Sequence, residues 1–137
     1  MKNLELVKDG VLKDYLIDSY NGKKINIKSN GRSSGTTNLY FENGVLSFEY
    51  LINSEKKIIY VNETIGRGAN LITGDYSVGA SGTMIENGEF AYPISEVTIA
   101  GNLNEMFMKM VLANDLEFNY STNSPSILID NMTVAGK

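Results

Sequence analysis

Six carboxylates and one glycine-rich run are the groups of this chain whose types could do chemistry. Asp75, Glu86, Glu89, Glu96, Asp115 and Glu117 could in principle supply an acid/base pair, a use that requires two carboxyls held at a fixed separation. Nothing in their spacing sets any two at such a distance, so most read as solvated strand or turn residues. Gly74, Gly79 and Gly82 stand among the small polar residues Asp75, Ser77 and Ser81, and backbone N–H groups in such runs can form anion nests. The run carries neither a Walker lysine nor a G-x-G-x-x-G spacing, so its glycines read better as bulges or close strand approaches. Asp75 and Ser77 have two readings of equal standing. They either satisfy backbone donors or line a peptide cleft or interface, with Ser81 beside them.

The residues that are missing narrow the chemistry further. The 137 residues include no histidine and no cysteine. A serine or cysteine nucleophile with a histidine base, a thiolate, and the common zinc ligand sets are therefore all excluded within this sequence. No catalytic residue, metal ligand or cofactor is assigned to it. The formal charge of −4 leaves no basic stripe to neutralise phosphates, so nucleic acid is not expected as a partner. Met1, Lys2, Asn3, Leu4 and Glu5 do not begin an apolar run of secretory-signal length. No window has the length of a transmembrane helix, so no membrane partner is expected. These features together predict a cytoplasmic protein with a single domain over residues 1–137.

The elements that would position these residues are mostly strands. Asp9-Gly10, Asn21-Gly22, Asn30-Gly31, Asn43-Gly44 and Asn87-Gly88 are pairs that tolerate positive φ, as tight turns between antiparallel strands require. Residues 4–7 and 11–17 flank the first pair as a hairpin, residues 25–28 alternate, and the Gly/Ser-rich stretch 29–35 predicts a mobile loop. Residues 38–42 and 58–62 read as strands, as do the alternating segments around Val97 and Ile99 and around Met132 and Val134. Residues 126–130 predict a short central strand. One helix is strongly marked: Leu103, Met106, Phe107, Met110 and Val111 fall in a single apolar stripe, predicting residues 103–112. Asn102 is placed to cap it, with Glu105 three residues later as in a capping box. Gly88 and Gly101 join Gly74, Gly79 and Gly82 as glycines expected for backbone reasons. The fold class that follows is mainly β (a β-rich α+β), an antiparallel sheet or a barrel-like or sandwich domain with one or two short helices.

The run TGDYSVGASGTMIENGEFAYPISEVTIA from residue 73, the GNLNEMF after it, the earlier NLY and the terminal MTVAGK occur in an order that resembles the C-terminal domain of the TldD/PmbA family. The resemblance covers residues 9–136. It favours a short helix for residues 45–52, where alternation alone would allow a strand. In TldD-like members, the resemblance implies, a helix in the N-terminal region carries H-E-x-x-x-H and a cysteine of the C-terminal domain completes a zinc site. That cysteine would fall within residues 117–125, which read EFNYSTNSP here, and no ligand replaces it. The chain therefore looks like the metal-free PmbA (TldE) branch, whose role resembles that of a substrate-shaping partner. Zinc is expected only in a TldD-like peptidase subunit, acting on unfolded or peptide substrates. The gyrase-modulator label carried by some members finds no support in this charge. A stand-alone peptide-binding or assembly module is the alternative. Family members run to several hundred residues, so the chain corresponds to a C-terminal portion, and residues 73–93 are expected to organise a subunit contact or cleft.

Overall fold

The computed structural model describes residues 3–32 and 34–136. Met1, Lys2, Ser33 and Lys137, which fall in the leader reading, the 29–35 loop and the MTVAGK ending, lie outside the described residues. The first elements in chain order are β1 (Val7–Lys8), β2 (Val11–Leu12), α1 (Ser19–Lys24), β3 (Leu39–Tyr40), α2 (Phe48–Ile52) and β4 (Lys57–Ile65). They are followed by β5 (Asp75–Glu86), β6 (Glu89–Asn102), α3 (Leu103–Lys109), β7 (Met110–Leu112), β8 (Thr122–Asn123), β9 (Ile127–Ile129) and β10 (Thr133–Ala135). The described residues pack as two compact units. The smaller holds the residues up to Tyr40 with Phe118–Asn123, and the larger holds Phe41–Glu117 with the residues from Ser124 onward.

In the smaller unit, Asp9 and Gly10 both take positive φ, 50° and 73°, and close the β1–β2 hairpin as a two-residue turn. Each strand is only two residues long; beyond Leu12, Lys13 N still donates to Leu6 O at 2.8 Å, and from Tyr15 a side chain takes over. Asn30 donates to Tyr15 O at 2.5 Å and accepts from Arg32 N at 3.3 Å, so the stretch expected to be mobile is fastened at that residue. Asn21-Gly22 is not a hairpin turn. Asp18 caps α1 by accepting from Asn21 N at 2.6 Å, and Lys23 and Lys24 in the last turn complement the helix dipole. Residues 25–28 do not form a strand, since Asn26 turns back at φ 56°. β3 and β8 pair in parallel, with Tyr40 edge-on to Phe118 at 5.1 Å.

The larger unit is built on an open sheet ordered β10-β6-β5-β4, every pair antiparallel. It is a β-rich α+β architecture and not a closed barrel. Among the described residues there are three short helices instead of the expected one or two. Asn87 and Gly88, at φ 51° and 82°, form the turn that joins β5 to β6. The β5 strand is buried from both sides, with Val78 and Ala80 on one face, opposite Val97, and Ile85 on the other. Ser47 caps α2 by accepting from Tyr50 N at 3.1 Å, which favours the helix over the alternation of Leu46, Phe48, Tyr50 and Ile52.

Two expectations fail at α3. The helix stops at Lys109, because Met110 adopts φ −70° and ψ 126° and residues 110–112 pair with β9 instead. A sheet ladder outcompetes the helical propensity of the last turn. The apolar stripe is also not a core face: Leu103, Met106 and Met110 are half-buried, while Phe107 is 60% exposed. Asn43-Gly44 is likewise no tight turn, for Gly44 packs against the Leu112 carbonyl where a Cβ would overlap. Among the described residues, no helix is long and apolar enough to cross a membrane.

Candidate functional site

The loop joining β4 to β5 is built by four polar side chains. Asn70 Oδ1 accepts from Ile72 N at 3.0 Å and Thr73 N at 3.3 Å, an Asx turn of the kind asparagine favours. The Asn70 backbone closes the same loop, its N–H donating to Asp75 O and its carbonyl accepting from Gly74 N, both at 2.8 Å. Thr73 Oγ1 donates to Asp75 Oδ2 at 2.7 Å. Asn102 then joins the loop to α3: Nδ2 donates to Thr73 O at 3.3 Å, Oδ1 accepts from Asn104 N at 3.1 Å, and Leu103 N donates to Gly74 O at 2.7 Å. Gly74 sits at φ 80° with Asn102 against it, a conformation that disfavours a side chain. Glu105 contributes no bond to this cap. It pairs instead with Lys109 at 3.7 Å.

Asp75 therefore lies in a backbone-fixing network, while the Ser77 side chain stands exposed with its N–H donating to Gly68 O at 2.8 Å. Along β5 the register advances without an inserted residue, the bulges lying in β4 and β6. Alternation then sets Asp75, Ser77 and Ser81 on one sheet face and Tyr76, Val78 and Met84 on the other. The second face borders an open apolar cleft of about 850 Å³, lined by Tyr76, Met84, Ile99, Met106, Leu128 and Val134 among others. The structure thus brings Asp75 and Asn102 together but does not bring Ser77 or Ser81 to this cleft. Methionine side chains at Met84, Met106 and Met132 make its wall adaptable to varied apolar partners.

The expected glycines divide by cause. Gly82 faces the Tyr60 carbonyl and Gly101 the Met132 thioether closely enough that a Cβ would displace them, and Gly88 requires φ 82°. Gly79 has no such need, since a Cβ there would meet Ile65 in ordinary contact at 3.7 Å. Gly68 was not singled out by its sequence context, yet a Cβ there would collide with Val78. Asn70 was also missed. Its signal was present in an asparagine two and three residues before the N–H groups of Ile72 and Thr73, the spacing of an Asx turn.

Two of the carboxylates have partners of their own. Glu86 pairs with Lys57 at 3.2 Å. Asp115 accepts from Ser126 N and Ser126 Oγ, each at 2.7 Å. Burial alone would raise the Asp115 pKa, but these bonds to the ionised form outweigh it and the carboxyl is held below its ordinary value. Asp115 thus clamps the segment after β7 to the start of β9, and Asn43 Oδ1 accepts from Leu116 N at 2.8 Å beside it. Among the described residues, no group of three His, Cys, Asp or Glu side chains could hold a metal ion. The arrangement can bind apolar side chains in the cleft, and its polar cluster fixes backbone.

A family model described as the PmbA/TldA metallopeptidase C-terminal domain matches residues 1–136. The metalloprotease PmbA of Escherichia coli O157:H7 is 40% identical over 134 residues, covering 97% of this chain and 30% of the relative. A PmbA homolog from Haemophilus influenzae is likewise 40% identical over 134 residues, covering 96% of this chain and 30% of the relative. Among solved structures, a Thermotoga maritima protein described as a candidate modulator of a DNA gyrase superposes with a TM-score of 0.83 at 34% identity, covering 95% of this chain and 32% of its own. TldE from Thermococcus kodakarensis gives a TM-score of 0.76 at 26% identity, covering 96% of this chain and 33% of its own. The chain spans about a third of the length of these relatives.

Proposed function

The chain belongs to the family of PmbA/TldA metallopeptidase C-terminal domains, and on that premise we propose that it serves as the C-terminal domain of a non-catalytic, PmbA/TldE-like subunit. Such a subunit works in the cytoplasm beside a TldD-like zinc peptidase and helps to present unfolded or peptide substrates. The observation that carries this reading is the donor set. With no histidine and no cysteine in 137 residues, the chain cannot assemble the nitrogen and sulfur ligands that zinc favours. The residues present do not fit a zinc centre. The apolar, methionine-bearing cleft supports the presenting role, because unfolded chains expose varied apolar side chains.

A second reading rests on β4, the outer strand of the sheet order. Among the described residues its outer edge has no partner strand, which suits addition of an extended peptide by backbone hydrogen bonding, with no protease involved. One experiment separates the two. The purified chain is loaded with zinc, desalted and analysed for metal, then assayed for peptide cleavage alone and with a TldD-like peptidase. We expect no retained zinc, background cleavage alone, and changed cleavage by the peptidase when the chain is added. Zinc near one per chain, or chelator-sensitive cleavage by the chain alone, overturns the non-catalytic reading. Peptide binding with no effect on the peptidase favours the strand-adding module.

A further inference from the structure

The sequence holds four Asn-Gly pairs, Asn21-Gly22, Asn30-Gly31, Asn43-Gly44 and Asn87-Gly88. Such a pair can react with itself, because glycine has no side chain to keep its backbone nitrogen away from the preceding carboxamide. The fold restrains three of the four. At Asn21 the side-chain amide donates to Asp18 Oδ2 at 3.1 Å, and Gly22 N donates to Asp18 O at 3.0 Å. The Asn30 side chain donates to Tyr15 O and accepts from Arg32 N, and Gly31 N donates to Ser29 Oγ at 3.2 Å. Asn43 Oδ1 accepts from Leu116 N and Gly44 N donates to Ala113 O, each at 2.8 Å. In each of these pairs both the attacking nitrogen and the amide it would attack are held in place.

Asn87 differs. Its backbone N–H donates to Lys56 O at 2.9 Å, but its side chain is exposed. Among the described residues, neither that side chain nor the Gly88 N–H has a hydrogen-bond partner. We infer that Asn87 is a self-modification site of the folded chain, where Gly88 N attacks the Asn87 carboxamide and water completes its conversion to aspartate and isoaspartate. Gly88 N gives its proton to solvent base and bonds to Asn87 Cγ, while the Cγ–Nδ2 bond breaks and the nitrogen leaves as ammonia. Water then opens the five-membered imide. Opening at Cγ gives aspartate, and opening at the backbone carbonyl gives isoaspartate, with the chain running through Cβ.

The position makes the product consequential. Asn87 and Gly88, at φ 51° and 82°, are the whole of the turn that closes the Glu86–Glu89 pair. Isoaspartate adds a methylene to that backbone, and either product adds a carboxylate beside Glu86 and Glu89, where like charges destabilise a pairing. Gly88 also packs against the Asn53 side chain, whose Nδ2 donates to Glu49 O at 2.7 Å at the end of α2. A lengthened turn therefore presses on the helix that lines the cleft with Phe48, Leu51 and Ile52. The inference stands apart from the zinc-peptidase reading.

Peptide mapping by mass spectrometry tests it, on full chain kept at mildly alkaline pH both folded and in urea until the urea sample has converted. In urea all four pairs should convert, since each has glycine next in sequence. In the folded chain Asn87 alone of the four should convert, with release of ammonia and an isoaspartyl peptide that elutes apart from the aspartyl one. Asn87→Gly keeps a residue suited to the positive φ of the turn and should lose that ammonia release. The urea midpoint of the wild type should fall during the folded incubation while that of Asn87→Gly holds. An Asn87 that stays intact in the folded chain, or conversion of Asn21, Asn30 or Asn43 there as fast as Asn87, overturns the inference. Aspartate formed without isoaspartate, or midpoints that fall equally in wild type and variant, overturns it as well.

Discussion

Asn102→Ala should destabilise the chain more than Phe107→Ala, the reverse of what a buried apolar stripe would give. Asn102 holds three segments: it caps α3 through Asn104 N at 3.1 Å and donates to Thr73 O at 3.3 Å. Loss of an N-cap costs about 1 kcal/mol. Loss of a second, solvent-exposed hydrogen bond adds about 0.5 kcal/mol, for a total of about 1.5 kcal/mol. A fully buried phenylalanine would cost about 3–5 kcal/mol on truncation, but Phe107 is 60% exposed. Its burial then contributes about 1 kcal/mol, and the better helix propensity of alanine offsets about 0.5 kcal/mol of that. Urea titrations followed by circular dichroism should show a midpoint shift of roughly 1 M for Asn102→Ala and a much smaller one for Phe107→Ala. If Phe107→Ala costs as much as Asn102→Ala, the exposed placement of that ring and the anchoring role of Asn102 are both wrong.

Gly82→Ala should cost more than about 2 kcal/mol by forcing β4 away from β5, whereas Gly79→Ala should stay within about 1 kcal/mol; denaturant midpoints compare them, and equal costs would refute the packing argument. Asp115 has a folded pKa below its unfolded value, so its contribution is present above the ordinary carboxylate range and is lost as pH falls through the folded pKa. Melting temperatures should therefore drop at acid pH in the wild type and less steeply in Asp115→Asn, and parallel pH profiles would remove Asp115 from the account. Gly68→Val should destabilise through collision with Val78, and an unchanged urea midpoint would show that the 66–68 backbone yields freely.

Much of the fold was legible because its signals were local. Asp9-Gly10 and Asn87-Gly88 lie between apolar alternations, and both form turns with two consecutive positive φ values. The Asn102 cap and the first turns of α3 follow from side-chain spacing within a few residues. The misreadings arise where a distant segment competes. Residues 110–112 continue a helical stripe in sequence, but β9, some fifteen residues later, offers them a ladder. Asn21-Gly22 and Asn43-Gly44 contain the same dipeptide as true turns, yet Asp18 caps a helix through the first and Leu112 packs on the second. A dipeptide does not encode which neighbour will arrive.

The candidate site was legible in its residue types and not in its geometry. Asp75 and Ser77 stand two apart on one strand and read as a pair, but only Asp75 has a loop threonine and a distant asparagine to bond. The apolar cleft could not be read at all, because its lining is assembled from α2, β4, β5, β6, α3, β7, β9 and β10, and each segment's share looks like ordinary core. The polar motif and the apolar surfaces are nevertheless physically linked. Asn70, Thr73, Asp75 and Asn102 bond to backbone and to one another, and the loop they hold turns Leu71 and Ile72 outward against the hydrophobic effect. Exposing two aliphatic side chains costs about 1.5–3 kcal/mol each relative to burying them. The bonds of the network offset part of that cost by holding the loop backbone in place.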